Sequence, residues 1–304
     1  MTNNKPLLKY SLDQMQVFVE VIDSGGFAAA ARTLGRAQSA ITYAIRSLEE
    51  ETGLVLFDRA HYRPQLTHAG LALLPRVRRL LEDLEDFHLH AHDFAHGVEA
   101  ELSLVVNEFA DIRPVIRALQ DMQNDYPSVK VRLVQQPFGD DLDMVRSGEA
   151  QVGVVAEIMQ LGNEFVSHHL FEHQLVAVAA KNHPAAQLSS PVTIETLRGH
   201  LQIVWTRLNP TSTTSDWGIH SLDTWHVTDL DTKLKFLRAG LGWGSMPRHL
   251  VEDDLARGDL IALDMQSWEG RDRMPVYSIS VVRLKKSILG PAALRFIEQV
   301  LKNR

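Results

Sequence analysis

The sequence predicts a multidomain chain of two kinds: a small, mostly helical domain ending in a β-hairpin and continued by a long helix, then a larger α/β domain. Three observations carry this. Apolar residues recur at three- and four-residue steps up to about Ala95. From Leu102, short apolar runs alternate with helical patterns. And 304 residues, at roughly 150 per domain, fit two domains better than one.

Met15, Phe18, Val19 and Ile22 put one stripe on a first helix, which Ser24-Gly25-Gly26 ends. Phe27, Ala30, Ala31 and Leu34 repeat the stripe on a short second helix, where the run Ala28 to Ala31 lets a neighbour approach closely. Gly35 closes it, because a tight turn there needs the left-handed conformation. Ile41, Ile45 and Leu48 mark a third helix ending at Gly53. This spacing suits a helix-turn-helix and a plain helical hairpin alike. The outward residues of the third helix separate the two: Gln38, Ser39, Thr42, Tyr43 and Arg46 can meet base edges and phosphates. An ordinary solvated face would mix Lys and Glu, whereas here the acidic run Glu49 to Glu51 waits at the far end, expected to point away from DNA.

Leu54 to Phe57 and Gln65-Leu66, around a polar turn, read as a hairpin or wing. Thr67 is a candidate N-cap for the next helix. Leu71, Leu74, Val77, Leu80, Leu81, Leu84 and Phe87 carry that helix to about Ala95, a span of about 42 Å, with Pro75 a candidate kink. So long a helix with an apolar seam needs a partner. In the α/β part, strands are expected at Leu102–Val106, Val129–Val134, Val152–Val155, Ile203–Trp205, Trp225–Val227 and Val276–Val282, with an apolar strand pair over Phe171–Ala180. Helices are expected at 112–125, 140–148, Thr232–Ala239 and 289–302. The alternation predicts a largely parallel sheet.

With 45% hydrophobic and 23% charged residues the chain is expected to be ordered. The absence of cysteine excludes disulfides, thiol catalysis and thiolate-held metals. The opening residues lack an apolar leader and no later stretch nears ~18 apolar residues, so the expectation is a cytoplasmic protein with no membrane partner. The net charge of −7 hides an asymmetry: residues 1–80 hold ten Lys/Arg against seven Asp/Glu, while the rest carries twenty-one against thirty-one. Only the first part suits a phosphate backbone.

Gly240-Leu-Gly-Trp-Gly244 resembles a nucleotide loop but follows a helix and precedes Met246-Pro247, instead of opening a helix after a strand. No G-x-S-x-G, P-loop or H-E-x-x-H motif occurs, and the chain is not expected to be an enzyme. His88, His92 and His96 fall at i, i+4 and i+8, with His90 and Asp93 nearby, and could share a helix face as metal ligands. Lacking an evident fourth ligand, they read instead as the polar end of the long helix, and no metal is expected.

Residues 11–80 resemble the DNA-binding end of LysR-type transcriptional regulators: LDQMQVFVEVIDSGGFAAAARTLGRAQSAITYAIRSLEEETGLVLFDR, then LTHAG, matches the winged helix-turn-helix, the L-F-x-R wing strand and the L-T-x-x-G turn. Departures occur where the family often has Ser or Thr (here Ala37), Pro (Ser39), Ser (Thr42) and Arg (Tyr43), and they bear on base preference. The resemblance implies a winged helix-turn-helix DNA-binding domain over 1–66, a linker dimerisation helix over 67–97 and an effector-binding domain over 98–304. The last is similar to periplasmic binding proteins, with lobe I at about 98–167 plus 270–304 and lobe II at about 168–269. It also implies double-stranded DNA, RNA polymerase, a small-molecule effector and a second copy of the chain as partners, in a homodimer or homotetramer.

Applied here, Gln38, Ser39, Thr42, Tyr43 and Arg46, flanked by Arg59, His61 and Arg63 of the wing, would contact DNA. Ligands in such sheets sit beyond the carboxyl ends of strands, which nominates Asn107, Glu108, Phe109, Gln135, Phe138, Trp205, Thr206, Thr228 and Trp243 for the effector. The aromatic residues suit a planar aromatic ligand or plain packing. Glu108 either caps a helix or pairs with an arginine; facing a pocket, it disfavours a carboxylate effector unless an arginine neutralises it. The alternatives are a small-molecule-binding protein whose first helices only dimerise, and a metal-responsive regulator.

Overall fold

The structure, a computed structural model, describes residues 10–58, 64–136, 139–157, 161–206 and 218–304. It divides into one unit through His92 and a second from Asp93.

In the first unit a capping box opens α1 (Leu12–Asp23): the Ser11 hydroxyl accepts from Gln14 N, and Gln14 Oε1 accepts from Ser11 N. α2 (Phe27–Thr33) and α3 (Gln38–Thr52) follow, joined through Gly35 at φ 64°. The buried stripe of α1 is Val17, Phe18 and Val21, so Met15 and Ile22 lie at its margins rather than its ends. α3 buries Ile41, Ala44, Ile45 and Leu48. β1 (Phe57–Asp58) pairs antiparallel with β2 (Gln65–Leu66), and Phe57 meets Phe18 and Phe27 edge-on at 5.6 and 5.3 Å. The root of the wing is therefore part of the helical core.

Two side chains tie that root down. Glu49, the first residue of the acidic run, has a structural role: its Oε1 accepts from Leu56 N (2.7 Å) and Phe57 N (3.2 Å), satisfying backbone donors just before and within β1. Thr67 donates to Val55 O (2.6 Å) and accepts from Gly70 N (3.1 Å). Gly70 is buried where a Cβ would stand 2.3 Å from Leu56 O, so only glycine lets α4 (His68–Ala95) start against the wing. The L-T-x-x-G turn is thus a close-packing device.

α4 runs through Pro75 as one helix of 28 residues. Leu73, Leu74 and Val77 pack against the helical core, whereas Leu80, Phe87 and Phe94 are exposed, Phe87 to 65%. Leu73, Val77, Leu80, Leu84, Phe87, Ala91 and Phe94 alternate steps of four and three, the spacing of a helix–helix seam.

The second unit comprises β3 (Glu101–Asn107), α5 (Arg113–Asp125), β4 (Lys130–Gln136), α6 (Asp140–Ser147), β5 (Val152–Glu157), β6 (Phe165–Ala180), α7 (Ile194–Leu197), β7 (Gln202–Trp205), β8 (Thr224–Val227), α8 (Leu230–Arg238), β9 (Trp243–Pro247), α9 (Arg248–Arg257), β10 (Leu260–Ala262), β11 (Val276–Leu284) and α10 (Pro291–Lys302). A 3-10 turn at Pro184–Gln187 precedes α7. The strands run in the order β4-β3-β5-β11-β6-β9-β7-β8, with β10 also on β6. The expected strand pair over Phe171–Ala180 is instead one sixteen-residue strand. It pairs with β11 from Phe165 to Gln174 and with β9 from Leu175 to Ala179, so two lobes share it. The crossing falls at Gln174–Leu175, several residues beyond the boundary expected near 167.

β3 is parallel to β4 and β5, and β7 to β8 and β9, but β6 and β11 are antiparallel to their partners. The sheet is therefore mixed, because the chain crosses between lobes twice, in opposite directions. In lobe I, Leu102, Leu104 and Val106 face Met122 and Phe296 of α5 and α10, while Val105 faces Val145 of α6. In lobe II, Val176 and Val178 of β6 face Leu234 and Leu237 of α8, while Ala177 and Ala179 face Leu197, Trp243 and Trp268. Among the described residues no helix is long and apolar enough to cross a membrane.

Candidate DNA-contacting surface and inter-lobe crevice

α3 divides cleanly into a buried face and an open one. Gln38, Ser39, Thr42, Tyr43 and Arg46 are all exposed, Tyr43 to 73%, opposite Ile41, Ala44, Ile45 and Leu48. Gln14 Nε2 donates to Ser47 Oγ (2.9 Å) and holds α1 against α3. Ala37 stands at the N-cap of α3 with no side-chain bond to the helix amides, and Ser39 does not replace it. Two of the open residues are partly engaged: Thr42 donates to Gln38 O (3.0 Å), and Arg46 pairs with Glu50 at 3.1 Å. Both contacts are solvent-exposed, and an exposed i,i+4 pair contributes only about 0.3–0.5 kcal/mol, so Arg46 is readily released to a phosphate. Arg59, His61 and Arg63 lie outside the described residues.

The effector candidates sort differently. Trp205, at the end of β7, meets Phe109, just after β3, edge-on at 5.3 Å, and Phe109 meets Tyr277 of β11 at 6.0 Å. Tyr277 donates to Phe109 O (2.9 Å). Glu108 reaches across from lobe I: its Oε2 accepts from Leu230 N (3.2 Å), the first residue of α8. It caps a helix, as one of its two expected roles had it. Burial raises the Glu108 carboxyl to about 7, against the opposing pull of the Leu230 amide and Lys233. The Trp205 indole stands close enough to favour the carboxylate, but without hydrogen-bond geometry.

The remaining candidates are displaced from this cluster. Asn107 is fully buried and spent on structure: Nδ2 donates to Asp141 Oδ2 (2.8 Å) and Oδ1 accepts from Phe109 N (2.9 Å). Gln135 is exposed on the edge strand β4, and Thr228 is exposed after β8. Thr206 joins β8 through its amide, which donates to Val227 O (2.9 Å). Trp243 is a correction: it is fully buried on the opposite face of the lobe II sheet, with Nε1 donating to Ser221 Oγ (3.0 Å), and packs the core instead of lining the crevice. Phe138 lies outside the described residues.

Sequence reasoning missed three groups here. Lys233 of α8 is buried, 4% exposed, and burial lowers its ammonium to about 7, opposed by the charge of Glu108. His173 of β6 and His249 of α9 stack at 4.1 Å beside the crossing. His173 Nε2 and both His249 nitrogens are buried without hydrogen-bond partners among the described residues. Burial pushes His249 down to about 4, with His173 and Arg113 adding to the shift and Asp111 opposing it. Lys233 and His173 stand away from any strand's carboxyl end, and His249, two residues beyond β9, follows a strand that the sequence reading did not mark.

A hollow of about 790 Å³ at the far end of β6 is lined by Lys181, Arg238, Asp254 and Arg257 among others. Three of these charges are matched with one another: Asp254 accepts from Arg238 (2.9 and 2.7 Å) and Arg257 (3.2 Å). His88, His92 and His96 form no metal-holding group of three or more ligands among the described residues.

A helix-turn-helix with a wing, together with two α/β lobes that share one long strand, defines a class: regulators that couple DNA binding to a small molecule on one chain. Residues 12–71 match the family described as Bacterial regulatory helix-turn-helix protein, lysR family, and residues 95–304 match the LysR substrate binding domain. The HTH-type transcriptional regulator AceR of Acinetobacter baumannii is 29% identical over 301 residues, 96% of each chain. The probable regulator YhaJ of Escherichia coli is 30% identical over 264 residues, 84% of this chain and 87% of that one. Among solved structures, full-length AphB of Vibrio cholerae, a virulence activator, superposes with a TM-score of 0.53 at 19% identity, covering 96% of this chain and 99% of that one. Full-length LysG of Corynebacterium glutamicum, solved with bound effector Arg, gives 0.51 at 17%, covering 96% and 97%. The chain belongs to the LysR family: it is a LysR-type transcriptional regulator with a DNA-binding helix-turn-helix and an effector-binding domain.

Proposed function

We propose that this regulator reads a specific operator by laying α3 in the major groove, with Gln38, Ser39, Thr42 and Tyr43 at bases and Arg46 at phosphate or guanine. The observation that carries the reading is the polar, open face of α3 opposite a fully buried one. Arg59, His61 and Arg63 of the wing would add sequence-independent phosphate contacts. With a local charge of only +3 over residues 1–80, one copy holds DNA weakly, and the exposed seam Leu80, Phe87 and Phe94 on α4 supports pairing with a second copy, as a dimer or a pair of dimers. The effector, a small molecule, would enter between Phe109 and Trp205 and change the relative setting of the lobes, which it does only by binding two settings unequally. In this reading the protein acts in the cytoplasm, catalyses no reaction and delivers its signal to RNA polymerase.

The test is selection from a random-sequence DNA pool at two salt concentrations with the full chain. The expected outcome is an interrupted inverted repeat, with Gln38→Ala relaxing its sequence while Arg59→Ala weakens all DNA alike. Recovery of no motif, with binding that vanishes at moderate salt, overturns the reading.

A further inference from the structure

Beyond the crevice itself, the groups gathered in it select a chemistry. Lys233 is buried with no hydrogen bond or ion pair holding its ammonium among the described residues; the charge acting on it is that of Glu108. Its stem lies against Gly244, where a Cβ would come within 3.1 Å of Lys233 Cε and 2.7 Å of Ile203 O. The glycine-rich run that resembles a nucleotide loop therefore clears room for a lysine. Trp205 Nε1, a buried donor, has no partner among the described residues, and neither does the buried acceptor Glu108 Oε1. Among these groups donors outnumber acceptors, and the Trp205 ring meets Phe109, the residue after Glu108, edge-on at 5.3 Å.

Resting on the reading of the crevice as the effector site, we propose that Lys233 and Trp205 receive the carboxylate of the effector, with Glu108 beside it as its hydrogen-bonding neighbour. A bound carboxylate supplies the counter-ion that Lys233 lacks and an acceptor for the indole. The groups facing it are Lys233 from α8, Glu108 from lobe I, and Asp229 at the start of α8, which adds negative charge near Glu108. Burial pushes the Glu108 carboxyl up and the Lys233 ammonium down, toward each other, so an anion favours the form carrying the extra proton: Glu108 becomes a donor, and Lys233 keeps its charge. A carboxylate must then bind with proton uptake, and a cation with proton release. The cation that offsets Glu108 is a lysine six residues into the second lobe's strand-following segment rather than the arginine anticipated from sequence.

The test uses the full chain with acetate, acetamide and methylamine, probes small enough to enter whatever the shape of the remaining site. The readout is the indole N–H resonance of Trp205, assigned with Trp205→Phe. Acetate alone is expected to shift it, with affinity rising about tenfold from about pH 8 to about pH 6. Lys233→Met, which removes a buried unpaired charge and is checked for folding by its melting temperature, should weaken acetate at least about tenfold. If that variant does not fold, the pH dependence of the unaltered chain stands as the test. A shift by methylamine instead, acetate binding indifferent to pH, or no shift by any probe overturns the carboxylate assignment. Acetate binding that moves other indoles but leaves Trp205 unmoved overturns the reading of the crevice as well.

Discussion

At His249 the ring stacks on His173 with both nitrogens buried and unpartnered, so the folded chain holds it neutral, down to about 4. An unfolded histidine titrates near 6.5. Between about pH 6.5 and about pH 4 the unfolded state takes a proton that the folded state refuses, and acid therefore removes stability across that window. His249→Phe keeps a ring on His173 without a titrating group. Its melting temperature should match the parent near neutral pH and fall less steeply through the acid window. Equal slopes for both proteins would assign the loss to other groups. Lys233 belongs to the same scale, and it shows why single residues were the hardest part to read. A lysine on an amphipathic helix ordinarily points to water. Nothing in its own neighbourhood of sequence says otherwise, and only the backbone gap at Gly244, on another strand, makes burial feasible.

Among the elements, α3 carries a visible defect. With Ala37 at its N-cap, the first-turn amides have no side-chain acceptor, whereas α1, with Ser11, has a full capping box. Ala37→Thr is expected to stabilise α3 by about 1 kcal/mol, read as slower hydrogen exchange of its amides; unchanged exchange would mean those amides are already satisfied by other means. The first three helices were legible because each buries a stripe with helical period, with Ile41, Ile45 and Leu48 where that period puts them, and α4 because its apolar residues keep the same period although most of that seam is exposed. α9 was not legible: Arg248, His249, Glu252, Asp253, Asp254 and Arg257 surround few apolar positions and leave no stripe. β6 was read short for a related reason. Its first half interleaves His168, His169, Glu172 and His173 with apolar residues, and only the second half is a continuous apolar run. The rule about strand ends nominated Phe109 and Trp205, which the fold brings into contact, and it also nominated Trp243, which opens its strand and turns to the other face.

For the whole molecule, the two lobes are not two stretches of chain. β11 lies between β5 and β6, yet it is separated from them in sequence by all of lobe II. During synthesis, at roughly 5–20 residues per second, the first lobe waits several seconds with β5 and the first half of β6 unpaired along that gap, while the second lobe already has its own strands. Unpaired edges of this kind recruit other chains. Ribosome-held chains ending at about residue 270 should therefore yield to protease between β3 and the first half of β6 while β7 to β9 resist, and chains extended past β11 should resist throughout. Equal resistance in both lengths would mean that lobe I closes without its central strand. The last strand made is the one that locks the first lobe, so the order of manufacture, and not only the finished contacts, exposes this regulator to loss before it ever meets DNA.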